Sequence, residues 1–155
     1  MEKAKAVTLE EVNVLACLVA HMDSIQLETY EAAIQMRQEK NTDAPVGIKD
    51  LLNLCYKLKC FEFRPGIIND RMLGEFCLEE DRLDWIHIFE VDVRKLLDPQ
   101  RVGMDQRKEE MGIFTSKGYV FENALSYQDI YDGIHLPDID GVAGGSFSPR
   151  LVGSQ

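Results

Sequence analysis

The chain is expected to fold as a mainly α protein of five or six helices with a small C-terminal β-hairpin, an α+β arrangement being the alternative. Three observations carry this. Apolar residues recur at helical spacing from Leu9 to Cys77. Capping residues stand ahead of several of those stretches. After Gly112 the pattern turns to short alternation broken by another glycine. At 155 residues one core suffices, because a chain of this size buries about 70% of its unfolded surface. Residues 1–140 are read as a single mainly helical domain and 141–155, rich in Gly and Ser, as a flexible tail.

Thr8-Leu-Glu-Glu11 is a capping box, with the Thr8 hydroxyl set to accept from the Glu11 amide. Leu9, Val12, Leu15, Ala16 and Val19 follow as the expected buried stripe. Asp23 and Ser24 are placed to cap a second helix that buries Leu27, Tyr30, Ala33 and Ile34. The short connection predicts an antiparallel helical hairpin. A polar loop with Pro45 leads to a third helix over residues 48–58, with Leu51, Leu52, Cys55 and Leu58 inward. Cys60-Phe-Glu-Phe63 alternates and reads as an extended piece ending at Pro65-Gly66. A fourth helix begins after Asn69. Its Gly74 costs roughly 1 kcal/mol relative to Ala, which calls for close helix packing.

Val91 to Leu97 reads as a helical turn, and Asp98-Pro99 as a cap with proline at the first helical position. The helix that follows should end at Gly112. Residues 113–121 read as the hairpin, with Gly118 in its turn. A short helical segment is expected over Tyr127 to Tyr131.

Charge is the dominant functional signal. The chain carries 17 Lys+Arg against 27 Asp+Glu, a formal −10. Such a balance repels nucleic acid and anionic membrane, since DNA binding needs clustered Lys and Arg. Arg101, Arg107 and Lys108 come nearest, but Asp105, Glu109 and Glu110 offset them. No apolar run approaches the ~18 residues of a membrane span. With no signal peptide in view, Cys17, Cys55, Cys60 and Cys77 are expected to be reduced, and the expected address is the cytoplasm. The acids concentrate in two places: Glu79, Glu80, Asp81 and Asp84, and the stretch without positive charge that holds Asp129, Asp132, Asp138 and Asp140.

Residue types that carry catalytic or metal chemistry are present, but without a completing pattern. Cys17 and His21 stand four apart, yet no further ligand pair completes a zinc site. Asp138-Ile-Asp140-Gly141 opens like a calcium loop, but Pro149 occupies the twelfth position, where a bidentate Glu belongs. His87 and His135 lack a recognisable nucleophile. Consecutive acids such as Glu109-Glu110 read as solvated face. Trp85 and Phe89 beside the first acidic cluster could anchor a basic partner, though core packing is their simpler role. No cofactor or metal is called for, and the chain is expected not to be an enzyme.

Several segments carry a resemblance. Residues 8–16, Thr-Leu-Glu-Glu-Val-Asn-Val-Leu-Ala, are similar to a helix start in antirestriction proteins of the ArdA type, found on mobile elements of gut Firmicutes. So are Ile48 to Leu54, Phe61 to Gly66, Met72 to Phe76, Gly112 to Phe121 and Tyr131 to Pro137. Proteins of that type open with an α/β domain bearing an Asn-Glu-Gly motif. Neither is seen here, so the chain resembles the more helical companion region. The resemblance implies a DNA mimic that blocks type I restriction–modification enzymes.

The expected function is therefore a non-enzymatic anti-defence inhibitor. Eight acids, Glu79, Glu80, Asp81, Asp84, Asp129, Asp132, Asp138 and Asp140, would pair with Lys and Arg in the DNA cleft of a host defence protein. Inhibition of a CRISPR effector is the alternative, as is a general interaction module with an apolar groove; neither direct nucleic-acid nor membrane binding is expected, and a homodimer is compatible with both.

Overall fold

The capping box forms as its residues require. In the computed structural model, which describes residues 6–80, 93–125, 128–137 and 150–151, Thr8 Oγ1 accepts from Glu11 N at 3.1 Å and Glu11 Oε1 accepts from Thr8 N at 2.9 Å. Helix α1 (Leu9–Ala20) follows. Asp23 and Gln26 make the same reciprocal pair at the start of α2 (Ser24–Lys40). The protein is mainly α: helices α3 (Ile48–Tyr56), α4 (Asp70–Glu79) and α5 (Pro99–Glu110) complete the set among the described residues. Short 3₁₀ turns occupy Leu58–Cys60 and Arg94–Leu96. Strands β1 (Phe61–Pro65), β2 (Ile113–Phe114), β3 (Gly118–Glu122) and β4 (Arg150–Leu151) form one small sheet in the order β2-β3-β1-β4. Within the segment read as a tail, Arg150–Leu151 are this last strand; residues 141–149 and 152–155 lie outside the described residues.

The chain divides into two compact units, residues 1–62 with 123–150, and residues 63–122 with 151–155. In the first, α1 and α2 pack chiefly on α3 rather than on each other, so the expected two-helix hairpin is corrected. α3 is the centre because Leu52, Cys55 and, just beyond it, Leu58 are fully buried. The α1 stripe is also corrected. The buried residues are Glu11, Val14 and Leu18, while Leu9 is 77% and Val12 45% exposed. The helix is rotated from the apolar reading because Glu11 has a buried partner, Tyr131. Residues 128–131 are not helical. The Ile130 and Tyr131 amides bind the Asn53 side chain instead, and Tyr127, where the expected segment began, lies outside the described residues.

In the second unit α4 and α5 cross closely. Asn69 caps α4, its Oδ1 accepting from Met72 N at 2.9 Å, and Asp98 with Pro99 opens α5. A Cβ on Gly74 would overlap the Pro99 carbonyl, and one on Gly103 the Asp70 carbonyl. Two glycines thus let the backbones touch, as Gly74 alone suggested. Arg107 spans the same crossing, donating to Asp70 through Nε at 2.7 Å and Nη2 at 3.3 Å. The core between these helices and the sheet is built on Leu73, Cys77, Val102, Tyr119 and Phe121.

Two glycine assignments change. The residue with positive φ at the end of α5 is Met111 (φ 52), not Gly112. Gly112 is needed because a side chain there would strike the Tyr119 hydroxyl. Gly118 lies in β3 rather than in the turn, close under the Arg64 carbonyl of β1. The turn is held by Thr115, whose Oγ1 accepts from Lys117 N and Gly118 N. β2 and β3 pair antiparallel, with Ile113 opposite Val120 and Phe114 opposite Tyr119.

Candidate partner-binding site

The acids named from the sequence meet different fates. Glu79 and Glu80 are exposed at the C-terminal end of α4, and Glu80 is its C-cap. No basic residue stands in the last turn of that helix, and among the described residues no ion pair engages either acid. This end of a helix carries the negative pole of its dipole, so a carboxylate there is disfavoured by about 0.3–1 kcal/mol. Asp81, Asp84, Asp138 and Asp140 lie outside the described residues, as do Trp85, Phe89 and His87.

Asp129 and Asp132 belong to the first unit. Asp129 accepts from Lys57 Nζ at 2.8 Å, so its charge is offset locally. Asp132 organises a loop. Its Oδ1 accepts from Ile134 N and His135 N, both at 2.7 Å, and its Oδ2 lies 2.8 Å from His135 Nδ1. These contacts, the His135 backbone N–H first, hold the carboxyl well below the usual carboxylate range. Gly133 takes φ 94 inside the loop, a conformation that few other residues adopt.

A buried polar network anchors the start of this loop, and no sequence motif announced it. Asn53 Oδ1 accepts from Ile130 N at 3.0 Å and Tyr131 N at 2.9 Å, and its Nδ2 donates to Tyr131 O at 2.9 Å. The Tyr131 ring is 2% exposed, and its hydroxyl donates to Glu11 Oε2 at 2.7 Å. Burial, then the bond to Glu11, pushes that phenol up to about 12. The available clue was an asparagine in the middle of the apolar run Leu51 to Cys55: a buried amide demands partners. On either side of Tyr131, Ile130 and Ile134 are 50% and 73% exposed.

The second unit holds a buried cation. Arg64 on β1 is 2% exposed. Its guanidinium carbon lies 4.3 Å from the Phe121 ring centre and 4.9 Å from that of Phe76. Glu110 Oε1 approaches Nη1 at 3.5 Å, an ion pair too long for a good hydrogen bond, and Nε and Nη1 have no hydrogen-bond partner. Glu110 is therefore not the solvated acid that its sequence neighbourhood suggested. It also accepts from Gln106 Nε2 at 2.9 Å.

Cys17 Sγ lies 3.9 Å from His21 Nδ1, which is itself 2.7 Å from the Cys17 carbonyl. Among the described residues no group of three or more candidate metal ligands exists. The His135 side chain is 82% exposed, so it lies in no deep pocket of the kind that would shelter a general base. None of the four cysteines forms a disulfide, and Cys55, Cys60 and Cys77 are buried. No described helix is long and apolar enough to cross a membrane. No known protein family matches the chain, and neither a curated protein nor a solved structure does.

Proposed function

We propose that this protein is a non-enzymatic anti-defence inhibitor from a mobile element, which binds the DNA cleft of a host type I restriction–modification enzyme through acidic surface and acts in the cytoplasm. The observation that supports this best is the placement of Glu79 and Glu80. Helix α4 would be better stabilised by Lys or Arg at its end, yet it carries two exposed carboxylates that continue in the chain into Asp81. Acids kept where they cost local stability are explained by a partner that rewards them. A net charge of −10 adds long-range attraction to a basic cleft. Duplex DNA offers that cleft one charge per ~1.7 Å of axis, and a run of carboxylates would stand in for part of that charge.

The test is inhibition of DNA cleavage by a purified type I enzyme, with a CRISPR effector nuclease run in parallel. Inhibition should be relieved by excess duplex DNA and should weaken by on the order of tenfold or more between about 0.05 and about 0.2 M salt. The double variant Glu79→Lys, Glu80→Lys should lose it. Full inhibition by that variant would remove α4 from the reading, and inhibition of the effector alone would move the target to CRISPR.

One observation favours a second reading, docking through apolar contacts. Leu9 and Val12, with Val7 just ahead of the cap, leave apolar surface on the outer side of α1. Binding there would be insensitive to salt.

A further inference from the structure

Helix α1 turns one side inward and leaves the other in solvent. Glu11, Val14 and Leu18 are buried. On the opposite side Leu9, Val12 and Ala16 are exposed and Val19 is half-buried. Their spacing of three, four and three is the a/d pattern by which one helix seats its side chains in a second helix. Asn13 and Ala20, both exposed, flank this seam. No Asp, Glu, Lys, Arg or His lies between Glu11 and His21, in a chain with 28% charged residues. The stripe that apolarity marked for burial is therefore an uncharged seam on the outside.

We propose that this face pairs with α1 of a second copy of the chain, the two helices running antiparallel about a two-fold axis. The proposal rests on the apolar reading of α1 given above and not on the acidic one. Three observations select this occupant. The face is neutral, so it offers nothing to a basic cleft. A helix lying on a membrane surface carries Lys and Arg along its polar side, and neither occurs from Ala6 to Met36. The ends of the helix complement each other only when reversed. Glu10 lies in the first turn and His21 is the C-cap, so an antiparallel pair brings the acid of one copy to the imidazole end of the other and opposes the two helix dipoles. A parallel pair would set Glu10 beside Glu10 and Asp23 beside Asp23, like charge on like.

In the antiparallel register Leu9 stands opposite Val19 and Val12 opposite Ala16, each contact made twice by symmetry. A seam about 18 Å long buries less than the ~1,200 Å² at which stable interfaces begin. The pair is accordingly weak, with a Kd on the order of 0.1–1 mM. Each copy carries −10, so the pair forms against a general repulsion, and the uncharged seam is where two copies approach with least of it. Salt screens that repulsion and leaves apolar contact intact. Self-pairing therefore strengthens with salt, whereas binding of acids to a basic cleft weakens.

The test is sedimentation equilibrium of the full chain from about 0.02 to about 2 mM, with ¹⁵N spectra over the same series. Mass should rise from 17.7 kDa toward twice that value, and amides 9–20 should shift with concentration. Association should tighten about threefold between about 0.05 and about 0.5 M salt. Val12→Glu with Ala16→Glu, both at exposed positions, should stay monomeric throughout with an unchanged thermal midpoint. Val12→Glu with Ala16→Lys should pair again, now more weakly as salt rises, since only the antiparallel register sets each new acid opposite a new base. A wild-type mass of 17.7 kDa at every concentration, undiminished pairing of the first variant, or no pairing of the second would overturn the proposal. Amides 9–20 that respond to neutral lipid vesicles or to a restriction enzyme, but not to concentration, would overturn it too. Response to the enzyme alone would leave the apolar reading of α1 in place, and response to none of the three would end both.

Discussion

The Tyr131 hydroxyl donates to the Glu11 carboxylate at 2.7 Å, joining positions 120 residues apart in the chain. Glu11 is 4% exposed, and the same carboxylate closes the capping box of α1 through its other oxygen. One acid therefore begins a helix and receives the loop. Tyr131→Phe removes this hydrogen bond to a buried carboxylate and should cost about 1–3 kcal/mol in urea denaturation. Asn53→Ala orphans two amides and a carbonyl together and should cost about 3 kcal/mol or more. Wild-type stability in both variants would show that the network is ornamental to the first unit.

The close crossing of α4 and α5 gives an opposite sign to the usual glycine rule. Gly→Ala in an unobstructed helix stabilises by about 1 kcal/mol. Gly74→Ala and Gly103→Ala should each destabilise by about 3 kcal/mol or more, since a methyl group would occupy the space of a facing carbonyl. Thermal unfolding checks this, and a raised midpoint in either variant would contradict the crossing.

Arg64 and Glu110 should respond unequally to substitution. Glu110→Ala strands a cation that is already short of hydrogen bonds and should cost about 3–5 kcal/mol. Arg64→Met in the double variant with Glu110→Gln removes both charges and fits between Phe76 and Phe121. It should be close to neutral or even stabilising. Equal losses in the two proteins would mean that the ion pair itself, rather than the avoidance of a lone charge, holds the site.

Stability should fall at both extremes of pH for identifiable reasons. Tyr131 has a folded value of about 12 against an ordinary 10.0. Its contribution is complete below about pH 10 and disappears as pH rises toward about 12. Burial raises Tyr30 and Tyr119 in the same direction. Asp132 is lowered, so its contribution is complete above the ordinary 3.8 and fades as pH falls through its folded value. Urea midpoints against pH should show a smaller alkaline loss in Tyr131→Phe than in wild type. An identical loss in the two proteins would place the titration elsewhere.

Much of the fold was legible from residues acting on their own neighbours. The Thr8–Glu11 box, the Asn69 cap, Pro99 at the start of α5 and the change to strands after Gly112 are all local, because each is a hydrogen bond or a dihedral preference within a few residues. Gly74 also announced close packing, although not its partner Gly103. What local pattern could not supply was rotation and destination. The α1 stripe chosen by apolarity was the wrong side, since a carboxylate at Glu11 is buried for a tyrosine far along the chain. Gly112 and Gly118 read as turn formers but are required by the Tyr119 ring and the Arg64 carbonyl.

The candidate site divides in the same way. By itself the sequence determined the net charge, the acid-rich stretches and the helix ends, because charge and capping are properties of composition and short spacing. Tertiary structure alone decided which acids remain available: Lys57 claims Asp129, the loop claims Asp132, and Arg64 draws Glu110 inward. Burial and long-range pairing depend on which distant groups the folded chain brings within a few ångströms, and spacing along the sequence carries no measure of that.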